Sequence, residues 1–585
     1  MKKLYLILVL LLFGFQYSNS QTLAFPTAEG YGKYAKGGRG GKVVFVENLE
    51  DYIAYNNIEA PIPGSFRWAL TQYPGEPLTV IFRVSGTIQL KLYIVNEKNM
   101  NDIRSSRANL TIAGQTAPGD GICIRNSKIN LGGSTDLVVR NLRFRIGENA
   151  TDSTFIPGGS VGCENALRVI FDHCVFGWSG EENLTMYDNR FTTVQWSIFH
   201  EGLYDDGHGK GNRGYGGQCG GINSTWHHNL FAHNQSRSPR LNGARTDNET
   251  RVFIEFINNV IYNWGSAGAV YGADIVAGTL RSHTTNYIGN YYKPGPATAS
   301  SKRFFSTNLT SGTNLPKWHL TGNVMEGYPT FNSDNWNGFT INWSGTTPAP
   351  TKNDLSSDTL LYPPQNIIYA GKWIGYDEYK LNIETAENAY QSILNKVGTF
   401  HRDSVERRIL HELKTGTASF KASLGTWGII DKSYNAEGYM QYQSSVAPED
   451  NDRDGMADVW ELGNGLNPSD PEDRNLTTIE GYTALEVYLN SLMGENMPHN
   501  FTGLENNKKS FISLYPTLAK DKLNIISDIP LESATIMSIN GEIISVISLK
   551  DDKSIDVSDL RSGCYLVCIK SQSNTKEYLK FLKNN

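Results

Sequence analysis

The sequence predicts an all-β protein: a solenoid of stacked parallel strands, then a small acidic module, then a C-terminal β-sandwich. Three observations predict it. A short pattern, usually a small polar residue followed by apolar or aromatic ones, recurs through the middle of the chain at steps of 33, 23, 32, 30, 31 and 33 residues. The recurring segments are short, β-branched and aromatic, and Gly, Asn, Ser and Thr divide them, so they read as strands and not as the helices of an α-solenoid of similar period. The end of the chain instead alternates apolar and polar residues with the period of two that marks half-buried strands.

Taken in order, Lys2 and Lys3 precede an apolar run from Leu4 to Phe15 and a small-x-small site, Ser18-Asn19-Ser20, ahead of Gln21. This order reads as a secretory signal peptide over residues 1–20, with no later run long or apolar enough to span a membrane. No Cys follows the site, which argues against a lipid anchor. At roughly 150 residues per domain, 585 residues allow about four units; the repeat instead merges 21–447 into one. The formal charge, 53 − 59 = −6, offers no basic surplus for nucleic acid. Charged residues at 19% argue against wholesale disorder. The six cysteines are too few for a disulfide scaffold and form no CxxC pair, so they read as buried thiols.

On one register the ladder aligns Asn141, Cys174, Ser197, Asn229, Asn259, Asn290 and Asn323. A coil of three strands and three bends fits the step, and since one coil cannot bury its own apolar face, stacking supplies the core. Asn at one bend of successive coils bonds its neighbours above and below, so Asn141, Asn229, Asn259, Asn290 and Asn323 read as bend supports. Helical spacing over 386–394 and 403–413, with Asp403 as N-cap, predicts two helices over the end of the solenoid. Residues 448–492 form the acidic module, 493–512 read as a linker, and 513–585 carry the alternating strands with an Asn540-Gly541 hairpin turn.

The module holds Asp450-Asn451-Asp452-Arg453-Asp454-Gly455-Met456-Ala457-Asp458-Val459-Trp460-Glu461, which fits a twelve-residue Ca²⁺ loop. Asp450, Asp452, Asp454, Asp458 and Glu461 would supply carboxylates, Met456 its carbonyl, and Gly455 the sharp turn. The ion is expected to be structural. A second cluster follows the ladder: Glu164-Asn165, Phe171-Asp172-His173, Glu181-Glu182, His208-Gly209-Lys210 and Arg237-Ser238-Pro239-Arg240. Stacked coils would bring these carboxylates and cations onto one face. Trp178, Trp196, Tyr215 and Trp226 are more readily coil packing than sugar platforms.

With Leu110-Thr111-Ile112-Ala113-Gly114-Gln115 and Val84-Ser85-Gly86-Thr87-Ile88, these segments resemble the pectate lyases of polysaccharide lyase family 1 over about residues 24 to 430. The resemblance implies a right-handed parallel β-helix that cleaves polygalacturonate, the pectin backbone, by Ca²⁺-dependent β-elimination to 4,5-unsaturated oligogalacturonides. It implies Arg237 as the base at C5, Lys210 paired with the substrate carboxylate, Arg240 binding or buttressing, and His173 and Tyr215 among the substrate contacts. Catalytic Ca²⁺ would fall to Asn165 or Glu164, Glu181 and Glu182. The sequence departs from the family in using Glu where Asp is usual, and Asn242 stands where a further Arg is expected. The alternatives are a polygalacturonase-type hydrolase, a pectin lyase and a non-catalytic β-helix adhesin. Leu514-Tyr515-Pro516-Thr517, Ile539-Asn540-Gly541, Leu560-Arg561-Ser562-Gly563-Cys564-Tyr565 and the basic end from Lys576 to Lys583 resemble a type IX secretion sorting domain. The expectation is a secreted monomer whose partners are homogalacturonan and the type IX machinery, not nucleic acid.

Overall fold

The computed structural model describes residues 21–96, 98–148, 158–242, 251–265, 269–274, 282–298, 302–311, 314–362, 368–369, 372–373, 381–496, 500–501, 512–527, 530–549, 553–571 and 576–584. The signal peptide expected over 1–20, much of the linker and the last residue of the sorting domain lie outside these residues. Among the described residues no helix is long and apolar enough to cross a membrane.

Among the described residues the main body is all-β, a parallel solenoid of three sheets with ten, nine and nine strands. Neighbouring strands come from successive coils, so equivalent residues stack in columns. In the first sheet one inward column runs Val139, Phe171, Val194, Trp226, Phe256, Tyr287 and Leu320. In the second sheet Phe144, Phe176, Phe199 and Phe231 stack face to face at 5.4, 5.1 and 4.6 Å. Both columns are buried, and stacking buries each coil's apolar edge as a lone coil could not.

The bend between the first and second sheets carries the Asn ladder. The Asn229, Asn259 and Asn290 side-chain amides donate to the next Asn at 3.0, 3.1 and 2.8 Å, and Asn323 ends the row on Asn335 at 3.0 Å. Asn141 does not join it. Arg143 pairs with Val175, so Leu142, not Asn141, is the partner of Cys174. The predicted register slips there by one residue, which moves a side chain from one facing to another. Asn141 takes the preceding, left-handed position (φ 60°), in column with His173, Trp196, His228 and Asn258 (φ 51 to 55°). Replacing Asn259 by Leu leaves the Asn229 amides without their acceptor and Trp226 O without its donor. At about 1–3 kcal/mol for each buried group left unpaired, the expected loss is about 3 kcal/mol, read as a lower urea midpoint at unchanged m-value.

Helices α1 (Ala386–Lys396) and α2 (Ser404–Thr415) form where expected, and Asp403 caps α2 in a capping box with Glu406. They do not close the end of the solenoid. Ile393, Val405, Ile409 and Leu413 pack along its flank, on Val175, Ile198, Leu230 and Val260 of the second sheet. That sheet turns Arg143 and Arg145 outward as well, and the carboxylates of Asp403 and Glu406 meet them there.

Beyond the solenoid, the short helix α3 (Asp458–Gly463) and helix α4 (Ala484–Ser491) dock on the first sheet. Their core is shared with Phe45, Ile81 and Ala113 of the solenoid and with Met537, Leu566 and Cys568 of the C-terminal region. That region comprises a three-stranded and a five-stranded sheet around its own core of Leu523, Ile536 and Val567. Its strands are antiparallel save one edge pair, consistent with a β-sandwich. Gly541 (φ 85°) follows Asn540 in the turn between Leu531–Ser538 and Ile543–Ser548, as the Asn-Gly signal predicts. All six thiols are free.

Candidate active site

Where each second-sheet strand hands over to the third sheet, the connecting loops of three successive coils carry the predicted chemistry. Glu181 and Glu182 follow Val175–Gly177, His208 and Lys210 follow Ile198–His200, and Arg237 follows Leu230–Ala232. Glu182 is in register with Tyr215, and Tyr215 is bridged to Ser236, so these three rise as one column and Arg237 follows directly after its last member. The stacking of coils is thus what turns a 55-residue separation into contact.

Arg237 is held on three sides. Its Nη1 is bonded to the Glu182 carboxylate, its Nε donates to the Tyr271 hydroxyl at 3.1 Å, and its guanidinium lies over the Tyr215 ring at 3.8 Å. Its backbone is left-handed (φ 53°), an unfavourable conformation for a branched-out side chain that is kept only where surroundings impose it. One step along the same sheet, Arg240 pairs with Asp274 at 3.2 Å. Glu181 faces His208 Nε2 at 3.3 Å and Lys210 Nζ at 3.6 Å. Lys210 is otherwise exposed, so it reaches a ligand without desolvation. Burial holds His208 below the usual imidazole range, against the pull of Glu181.

Three predicted members stand elsewhere. Glu164 is in register with Tyr187, five positions beyond Glu182 along the same sheet, about 16 Å at 3.3 Å per residue. Asn165, next to it, is an exposed left-handed bend whose backbone N–H donates to Tyr187 O at 2.9 Å. The residues that flank Glu182 from that coil are Gly158 and Ser160, bonded to Gly180 and Glu182 through the backbone. His173 lies at a different bend, between the first and second sheets, bonded to Asp172 at 2.8 Å and stacked on Trp196. The reading of one shared face fails for it because a solenoid has three bends per coil. Tyr271 and Asp274 were not anticipated; each lies 34 residues after its arginine, one coil on, and that step is the signal for them.

The acidic loop forms a second cluster. Asp450, Asp452 and Asp454 converge to within 4.8 Å, as do Asp454, Glu461 and Asp473. Burial, reinforced by neighbouring carboxylates, pushes Asp454 up to about 8 and Glu461 up to about 9, and burial is the main cause that lifts Asp450 and Asp473 to about 6. Asp458 turns away and accepts from the Asn451 backbone and side-chain amides. Met456 donates its N–H to Asp454 at 2.8 Å and buries its side chain in the shared core.

Residues 513–584 match the family model described as a secretion system C-terminal sorting domain. The chain is 29% identical over 483 residues to the probable pectate lyase C of Aspergillus flavus, covering 81% of this chain and 95% of the relative. It is 28% identical over 491 residues to the probable pectate lyase C of Emericella nidulans, covering 82% and 94%. Among solved structures it is similar to the major allergen from cedar pollen (16% identity, TM-score 0.42, 64% of this chain and 92% of that one). It is also similar to a pectate lyase from Bacillus sp. N165 in complex with trigalacturonate (17% identity, TM-score 0.35, 64% and 98%).

Proposed function

We propose that this polysaccharide lyase, a homologue of the pectate lyases, cleaves the polygalacturonate backbone of pectin by Ca²⁺-assisted β-elimination. Its products would be 4,5-unsaturated oligogalacturonides. The observation that carries the reading is Arg237, clamped by Glu182, Tyr215 and Tyr271 beside Glu181, Lys210 and Arg240.

The C5 hydrogen of a galacturonate is a weak acid because the charge left behind adjoins a carboxylate. Elimination moves that proton to the base, forms the C4–C5 double bond and expels the glycosidic oxygen from C4. Arg237 would take the proton through its guanidinium. Arginine is ordinarily charged and Nη1 is engaged by the Glu182 carboxylate, so Glu182 has to release Nη1 before the base can act. Glu181 and Glu182 are hard oxygen donors of the kind Ca²⁺ takes, and bound there the ion would offset the substrate carboxylate. Glu164 and Asn165 stand too far along the sheet to share it. Lys210, exposed and next to Glu181, would pair with the substrate carboxylate, and Arg240, braced by Asp274, would hold a neighbouring sugar. Tyr215, under the Arg237 guanidinium, positions the base and would meet the sugar only at its edge. The sorting-domain match supports export by the type IX system to the cell surface or beyond.

Incubation with polygalacturonate tests this. The expected product absorbs in the ultraviolet, and a chelator abolishes its formation. Reducing ends without ultraviolet absorbance would replace the lyase by a hydrolase. No cleavage of either kind would leave an adhesin, and cleavage confined to methyl-esterified pectin and indifferent to chelator would mark a pectin lyase.

A further inference from the structure

The acidic loop concentrates charge that, among the described residues, Arg83 on Asp450 offsets only in part. Asp454 and Glu461 are fully buried (0% exposed). Both carboxylate oxygens of Glu461, both of Asp452, and one each of Asp454 and Asp473 receive no hydrogen bond. A carboxylate taken out of water without a donor or a cation is strongly disfavoured, and several converging on one point repel besides. Asp454 belongs to both converging triads and so joins them into one five-carboxylate cage. Such an all-oxygen, high-charge cage suits Ca²⁺, which takes six to eight oxygens in flexible geometry, better than Mg²⁺, which keeps most of its waters. Asp458, the ninth residue of the loop, is spent on Asn451, and Asp473 arrives in its stead from a turn outside the twelve-residue motif.

We propose that Asp450, Asp452, Asp454, Glu461 and Asp473 form a Ca²⁺ site, and that the ion seats the sorting domain against the solenoid. The second half follows from what the cage is attached to. Glu461 lies on α3, and the opposite surfaces of α3 and its loop meet both partners. Val459 and Trp460 share a core with Phe45 and Ile81 of the solenoid and with Leu566 of the sorting domain. Gly463 lies so close to Leu566 that a Cβ there would stand 3.0 Å from it, and one on Gly541 would stand 3.2 Å from Val459. On the other side Arg83 of the solenoid holds Asp450 at 3.2 Å and Pro448 O at 2.8 Å. Without the ion, repulsion among the carboxylates would spread the loop and loosen the short helix on which the sorting domain rests.

The test is independent of the lyase reading, because it reads binding and protection and not activity. Calcium binding to the full chain is measured by calorimetry after chelation, in a Glu181→Gln/Glu182→Gln background so that only this site is counted. Binding is expected to persist in that background, to weaken about 10-fold or more in Asp473→Asn and in Asp452→Asn, and to change little in Asp458→Asn, since affinity follows the ligand charge count. Limited proteolysis is expected to release the sorting domain faster in chelator than in Ca²⁺, with Asp473→Asn fast in both. Two outcomes overturn the ligand set: unchanged affinity in Asp473→Asn, or loss of binding in Asp458→Asn alone. Release at the same rate with and without Ca²⁺ overturns the seat. Asp452 is partly exposed, so Asp452→Asn reports on the site even where a change at Asp473 impairs folding.

Discussion

Arg237→Ala lowers the rate of ultraviolet-absorbing product formation on polygalacturonate by about 10²–10⁴-fold, the range that a positioned base supplies. The side chain is held by a carboxylate, a hydroxyl and a ring, so its loss removes the proposed proton acceptor without opening the apolar core. Arg237→Lys keeps the charge but cannot meet Glu182 and Tyr271 at once, since an ammonium is a point and a guanidinium a fork. It should recover little of the lost rate. Tyr271→Phe removes only the Nε acceptor and should cost far less, about 10-fold or under. The order alanine, lysine, phenylalanine in severity marks Arg237 as the reacting group and Tyr271 as its positioning residue. Near-full activity in Arg237→Ala, with unfolding unchanged, would remove Arg237 from the chemistry.

Columns are what made this protein readable. Repeated Asn, aromatic and β-branched residues announced strands that stack, and stacking implied that carboxylates and cations of successive coils would share a face; within it Glu182 and Arg237 are in contact. Asn540-Gly541 and the Asp403 cap were legible because both are local: a turn or a cap is decided within a few residues. What escaped depends on position within the coil. Glu164 is a carboxylate on the correct sheet, but five register positions from Glu182, and no property of its neighbours fixes that number. His173 shares a motif with the family and sits at another bend. Asn141 lies one position before the ladder because Leu142, not Asn141, stands in register with Cys174. Asp473 lies outside the motif that predicted the acidic loop, and Asp458 inside it was drawn off by Asn451. Motif spacing identifies candidates, but three-dimensional packing decides which of them share an ion.

The flank of the solenoid yields the second large effect. Asp403 is buried against two arginines: it is bonded to Arg145, lies 3.3 Å from Arg143 Nε, and accepts from the Tyr442 hydroxyl at 2.8 Å. Asp403→Asn preserves the cap, because Asn caps as well as Asp, yet leaves Arg145 buried with no carboxylate beside it. Breaking a buried pair from one side costs about 3–5 kcal/mol, and that loss is expected in chemical denaturation. Arg145→Met added to Asp403→Asn should return part of it, since no uncompensated charge then remains. A double variant no more stable than the single would show that packing, not charge, sets the loss. Acid should expose the same region. The arginines hold the Asp403 carboxyl well below the usual range, and Arg408 does so for Glu201. A depressed carboxylate contributes its full stability above its unfolded pKa, near about 4, and loses it as pH falls through the folded value. Burial holds His200 down from 6.5 to about 4, with the same sign: its neutral form is the one that fits, so stability falls as pH drops from 6.5 towards 4. In saturating Ca²⁺, thermal midpoints should therefore be level above neutrality, decline first between pH 6.5 and 4, where His200 takes a proton in the unfolded chain and not in the folded one, and fall steeply below that as the carboxylates lose their charge, with Asp403→Asn showing the shallower second decline.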